Sequence, residues 1–101
     1  MKLKDIRTSR TSGKKYDAIF EMFDGSVRRV PFGGSGYKDF IQYSSINHDL
    51  ADDKRKAYIS RHQVNEDWTD PMKPGTLSRF ILWEHRTLPE AVRKYKSRFN
   101  V

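Results

Sequence analysis

Three histidines, His48, His62 and His85, are the residues of this chain best suited to moving a proton or holding a metal. They are far apart, and none has a second histidine four residues on, so no helical face presents two of them. Asp49, Asp52 and Asp53 lie close to His48 and offer hard oxygen donors, but their spacing does not follow a calcium-binding loop. They read as the acidic start of a helix. Ser35 sits between Gly34 and Gly36, yet the G-x-S-x-G nucleophile elbow is absent and no base is identifiable beside it. The glycine-rich run from Phe32 to Tyr37 could cradle a phosphate, but it matches neither G-x-x-x-x-G-K-[ST] nor G-x-G-x-x-G. Its expected role is a tight exit from a sheet, with Phe32 and Tyr37 as core anchors. Glu66, Asp67 and Asp70 fall on an expected loop, where solvation is the default. One constellation could act on an anionic substrate if the fold assembled it: His62, Arg55 and the backbone donors of residues 33–36. With no cysteine in the chain, disulfides and thiolate zinc sites are excluded. No metal or cofactor is expected.

Charge is the other chemical resource. The formal net charge of +7 is unevenly placed: residues 1–31 carry +4, residues 32–72 carry −2 and residues 73–101 carry +5. Basic ends of this kind suit a polyanion such as nucleic acid, or an acidic protein surface. The candidate contacts are Arg93, Lys94, Lys96 and Arg98 at one end, and Lys2, Lys4, Arg7, Arg10, Lys14 and Lys15 at the other. Arg79-Phe80, Lys94-Tyr95-Lys96 and Arg98-Phe99 interleave cations with aromatics, but the helical pattern puts Tyr95 and Phe99 on a buried stripe. What remains is a basic face fit for sequence-independent backbone contact.

The elements that must position these groups follow from pattern. At 101 residues the chain is expected to be one domain with one modest core. Residues 2–32 read as an antiparallel meander, with strands over 2–7, 15–23 and 27–32, and Tyr16, Ala18, Phe20 and Met22 on one face. Asp24-Gly25 predicts a two-residue type I′ hairpin that sets Met22 opposite Val27 and Glu21 opposite Arg28. Pro31 confines its strand to an edge or ends it. A helical turn is expected near residues 39–43. Asp52 or Asp53 caps a helix over 52–63 that buries Tyr58 and Ile59 and turns Lys54, Lys56 and Arg61 outward. Thr76 caps a central helix over 77–84 that contains Phe80-Ile81-Leu82-Trp83. Thr87 and Glu90 form a capping box for a helix over 88–98, whose stripe is Leu88, Ala91, Val92, Tyr95 and Phe99. The expected fold is α+β: a small antiparallel sheet packed against three helices, with residues 2–32 as the sheet region and 52–98 as the helical region. Phe20, Tyr58, Ile59, Ile81, Trp83, Val92 and Tyr95 are the expected core. No apolar run reads as a signal peptide or a membrane span.

Beyond pattern, the residues resemble one family. They are Tyr16-Asp17-Ala18-Ile19-Phe20-Glu21, Phe32-Gly33 with Gly36-Tyr37, Arg55-Lys56 with Tyr58-Ile59, Arg61-His62, Glu66 with Trp68, Leu77-Ser78-Arg79, Ile81-Leu82-Trp83, Leu88, and Tyr95 with Arg98-Phe99. They are similar, in order and over nearly the whole chain, to small uncharacterised proteins of unknown function encoded by large DNA viruses of algae and protists. The resemblance implies a protein of the virion or of the host cytoplasm or nucleus, and the polar N-terminal run adds the expectation that it is not secreted. It implies a non-enzymatic structural role as a minor capsid or cement component, with capsid or other virion proteins as partners. Sequence-independent nucleic-acid binding through the basic ends is the alternative expectation.

Overall fold

A computed structural model describes all 101 residues and has the expected α+β architecture. Strands β1 (Lys2–Thr8), β2 (Lys14–Glu21) and β3 (Val27–Gly34) form an antiparallel sheet in the order β1-β2-β3. The connections are short, so each strand pairs with its sequence neighbour. Pro31 stands opposite Asp17 on the edge strand β3, where its missing N–H leaves no ladder bond unmade on the outer side.

The β2–β3 turn is one residue longer than the Asp24-Gly25 signal predicts. Met22 and Ser26 close it, with Met22 N–H donating to Ser26 O at 2.8 Å. Gly25 has φ +85°, whereas Asp24 is not left-handed. Asp24 instead accepts the Ser26 N–H on its own carboxylate at 2.9 Å. That local side-chain bond favours a three-residue loop with glycine at the left-handed position over type I′. The register therefore slips by one: Glu21 faces Val27 and Phe20 faces Arg28. Val27 is consequently exposed rather than paired with Met22, and Phe23 projects almost fully into solvent at the loop tip.

One face of the sheet carries the core. Leu3, Ala18, Phe20 and Phe32 are buried against the helices, with Ile6, Tyr16 and Val30 partly buried beside them. On the other face Asp17 is 1% exposed. It accepts bonds from Ser9 Oγ at 2.5 Å, Arg10 N–H at 3.3 Å and Arg29 Nη1 at 3.5 Å. These donors, with Arg29 and Arg10 supplying positive charge, hold its carboxyl below the usual carboxylate range.

Helix α1 (Phe40–Ser44) begins at a reciprocal capping box between Asp39 and Gln42, both bonds at 2.9 Å. Helix α2 (His48–His62) starts four residues before the expected Asp52. Asn47 caps it by accepting Leu50 N–H at 2.9 Å, and Asp49, Asp52 and Asp53 become helical. Ala51 and Tyr58 form its buried side, and Ile59 is half-buried.

The segment expected as one helix over 77–84 is short and irregular. Helix α3 (Pro74–Leu77) begins with proline in its first turn, where the missing N–H costs nothing. Thr76 is buried inside it and caps nothing. Ser78–Leu82 then widens into a π turn. The wider turn lets Leu77, Ile81, Leu82 and Trp83 all reach the core. Trp83 stacks on Tyr58 with centroids 4.4 Å apart and planes 6° apart. The last helix, α4 (Leu88–Phe99), buries Ala91 and Tyr95 and ends on Asn100 in the left-handed region. Thr87 makes no side-chain cap bond; Glu90 lies 3.8 Å from His85 Nδ1 instead. No helix is long and apolar enough to cross a membrane.

Two buried phenols make the fold sensitive to alkali. Burial, reinforced by nearby Glu66, pushes Tyr58 up to about 12, and burial with nearby Asp70 raises Tyr95 as well. Tyr95 also donates to Pro71 O at 2.6 Å. An unfolded tyrosine titrates near 10, so the stability linked to these neutral phenols is complete below about pH 10 and is lost as pH rises toward 12. Denaturant unfolding at a series of alkaline pH values should show this loss. A Tyr58→Phe, Tyr95→Phe double variant should start less stable but decline less steeply.

Candidate anion-binding sites

A groove of about 630 Å³ lies between α2, the β3–α1 loop and α3. Its α2 wall is a matter of helical spacing. Lys54, Ala57, Tyr58, Arg61 and His62 recur at i, i+3, i+4, i+7 and i+8, which is one face. Lys54 and Arg61, expected to point away from the buried stripe, stand on this face beside Tyr58. The periodicity carries the signal, because a stripe can be flanked by cations as readily as by apolar residues.

The opposite wall depends on glycine. Gly33 has φ +78°, and a Cβ there would lie 2.7 Å from Leu82 Cδ1. A Cβ on Gly34 would lie 2.8 Å from the Tyr37 ring. Tyr37 therefore lies against bare backbone at the mouth and is 80% exposed, not the core anchor expected of it; Phe32 takes that role alone. At the α3 end, a side chain on Gly75 would collide with the Glu66 carboxylate. Tyr43, Tyr58 and Trp83 line the groove as a contiguous aromatic set.

Charge in the groove falls into two kinds. Lys15 is committed: its ammonium donates to Asp39 Oδ2 at 2.7 Å, Gln42 Oε1 at 2.9 Å and Tyr37 O at 2.9 Å. His62 stacks on Tyr58 at 4.2 Å and has Nδ1 3.6 Å from Glu66. Lys14, Lys38, Lys54 and Arg61 have no carboxylate within ion-pair distance. Lys54 reaches only the Tyr43 ring, at 5.6 Å. Four uncompensated cations thus surround an aromatic-lined hollow.

The constellation of His62, Arg55 and the glycine loop is not assembled. His62, Gly33 and Gly34 share the groove, but Arg55 turns toward Phe40, 4.4 Å from its ring, and donates to Glu84 O at 3.0 Å. No three histidine or acidic side chains come together as a metal-binding group.

The ten candidate cations of the two basic ends are distributed over several parts of the fold. Lys2, Lys4 and Lys96 line a single depression with Met1, Leu3, Asn100 and Val101. Arg93 lies one turn before Lys96 on the same flank of α4, by helical spacing. Lys94 belongs to the opposite flank, as does Arg98, whose guanidinium lies 4.0 Å from the Phe80 ring. Arg7 pairs with Asp5 at 2.8 Å on an exposed strand. Arg10 turns its backbone to Asp17 at the β1–β2 turn. Lys14 and Lys15 belong to the groove. The chain ends meet because β1 packs against α4, a long-range contact that charge counting along the sequence does not reveal.

The structure is that of a small α+β protein with two hollows lined by cationic side chains. Compared with family models, curated proteins and solved structures, the chain finds no match.

Proposed function

We propose that this protein is a non-enzymatic binder of nucleic-acid backbone and that the joined chain ends form its contact surface. One observation supports the reading: Lys2, Lys4 and Lys96, from opposite ends of the sequence, surround one depression that no acidic side chain lines. Three cations on one surface match the charge of successive phosphates, and their flexible stems suit contacts that read no base. Association releases condensed counterions, so affinity falls with salt at a log–log slope of roughly −0.9 per phosphate neutralised on duplex DNA.

The test is a titration on random-sequence duplex DNA at two salt concentrations. The Lys4→Glu, Lys96→Glu double variant is expected to weaken binding to every sequence alike and to flatten the salt slope. Lys94→Glu, on the other flank of α4, should have the smaller effect. Binding that is undetectable at low salt, or indifferent to the double reversal, rejects the reading. In the setting implied by the viral resemblance, the polyanion is packaged DNA and the protein is virion-associated. Mass spectrometry of purified virions tests that setting separately.

A further inference from the structure

We propose that the groove between α2, the β3–α1 loop and α3 is a binding site for a nucleoside phosphate. It shares no lining residue with the depression at the chain ends, so the inference does not depend on the backbone-binding reading. Size is the first argument. About 630 Å³ lies within the ~300–1,000 Å³ of small-molecule sites.

Charge is the second argument. Lys14, Lys38, Lys54 and Arg61 come from three separate stretches of chain and converge on one hollow with no carboxylate to neutralise them. The two acids that do line it, Asp39 and Glu66, already face Lys15 and His62. Holding several like charges together is unfavourable unless an anion joins them. A diphosphate carries enough negative charge to engage several of them, and Arg61 can add bidentate geometry.

The aromatic lining decides between bare phosphate and a nucleotide. Tyr37 offers an exposed ring at the mouth, backed by Gly34, and Tyr43 stands further in beside Trp83. A base has a π-face that stacks on such rings irrespective of its identity. Phosphates on the cations and a base on the tyrosines use both kinds of lining at once.

Calorimetric titration of the full chain with ADP, adenosine and inorganic pyrophosphate tests this. ADP is expected to bind below about 1 mM, with adenosine and pyrophosphate each at least about ten-fold weaker. Arg61→Ala with Lys54→Ala should weaken ADP by about ten-fold or more while leaving duplex-DNA affinity within about two-fold. Tyr37→Ala, which removes an exposed side chain and leaves the core untouched, should cost ADP several-fold and pyrophosphate nothing. No ADP binding at millimolar concentration overturns the proposal. So does pyrophosphate binding as tightly as ADP, or ADP binding indifferent to all three substitutions. A single-stranded oligonucleotide that binds the groove where ADP does not would assign it to a polymer instead.

Discussion

Trp83→Ala is expected to lower stability by about 3–5 kcal/mol, the range for deleting a large buried aromatic. For a chain of this size that corresponds to a fall in Tm on the order of 20 °C. Trp83 is 9% exposed and lies face to face with Tyr58, so truncation opens a cavity against α2 and removes a stacked pair. Tyr43, 6.4 Å away and tilted, cannot fill it without leaving the α1–α2 junction. Thermal unfolding followed by far-UV circular dichroism reads the effect. A variant melting within a degree or two of wild type would remove Trp83 from the centre of the fold.

The second large effect is expected at Lys15→Met. Lys15 and Asp39 have side chains 13% and 5% exposed, and they join β2 to the start of α1. Removing one partner of a buried pair leaves a charge without compensation, at a cost of about 3–5 kcal/mol. The lower end applies, because Asp39 keeps the Gln42 N–H in its capping box. Adding Asp39→Asn removes the stranded charge and should recover part of the loss; urea unfolding of the double variant and of each single variant measures the coupling. Additive effects of the two substitutions would show that the pair is merely adjacent. The Lys15→Met substitution also leaves the Tyr37 carbonyl without its Lys15 donor, while Gln42 Oε1 keeps the Asp39 N–H, so it should loosen the glycine-loop wall of the groove.

The fold was largely legible because its signals are periodic. Alternation marked β1 to β3, and the 3.6-residue stripe of α4 marked Ala91 and Tyr95 as buried. Errors fell where two local rules compete. Asn47 outcompeted Asp52 as a cap because an acid within a first or second turn is also tolerated, so the acidic cluster did not mark the boundary. Asp24 closed a three-residue turn through its own carboxylate, a choice hidden in the Asp-Gly pair. Thr76 has a cap residue's chemistry but lies buried in α3, behind a proline that starts the helix on its own.

The sites were less legible, because they depend on contacts between distant segments. Lys15 and Lys14 are neighbours in sequence with opposite fates: one is locked to Asp39 and the other is left free. Lys38 carries no pattern signal because it stands alone in its stretch. It becomes part of a cationic set only when α2 lies across the glycine loop.

The π turn at Ser78–Leu82 makes chain length part of the information that specifies this protein. A π turn holds one residue more than the α turn it interrupts. Inserting one further residue between Ser78 and Leu82 would exceed what the wide turn already absorbs and rotate the downstream segment by about 100°. Trp83 would then leave Tyr58, and the groove would lose its floor, although every side chain of the core was still encoded. The exposed turn at Asp24-Gly25 is expected to accept an inserted residue, whereas an insertion in this buried segment is expected to displace the core.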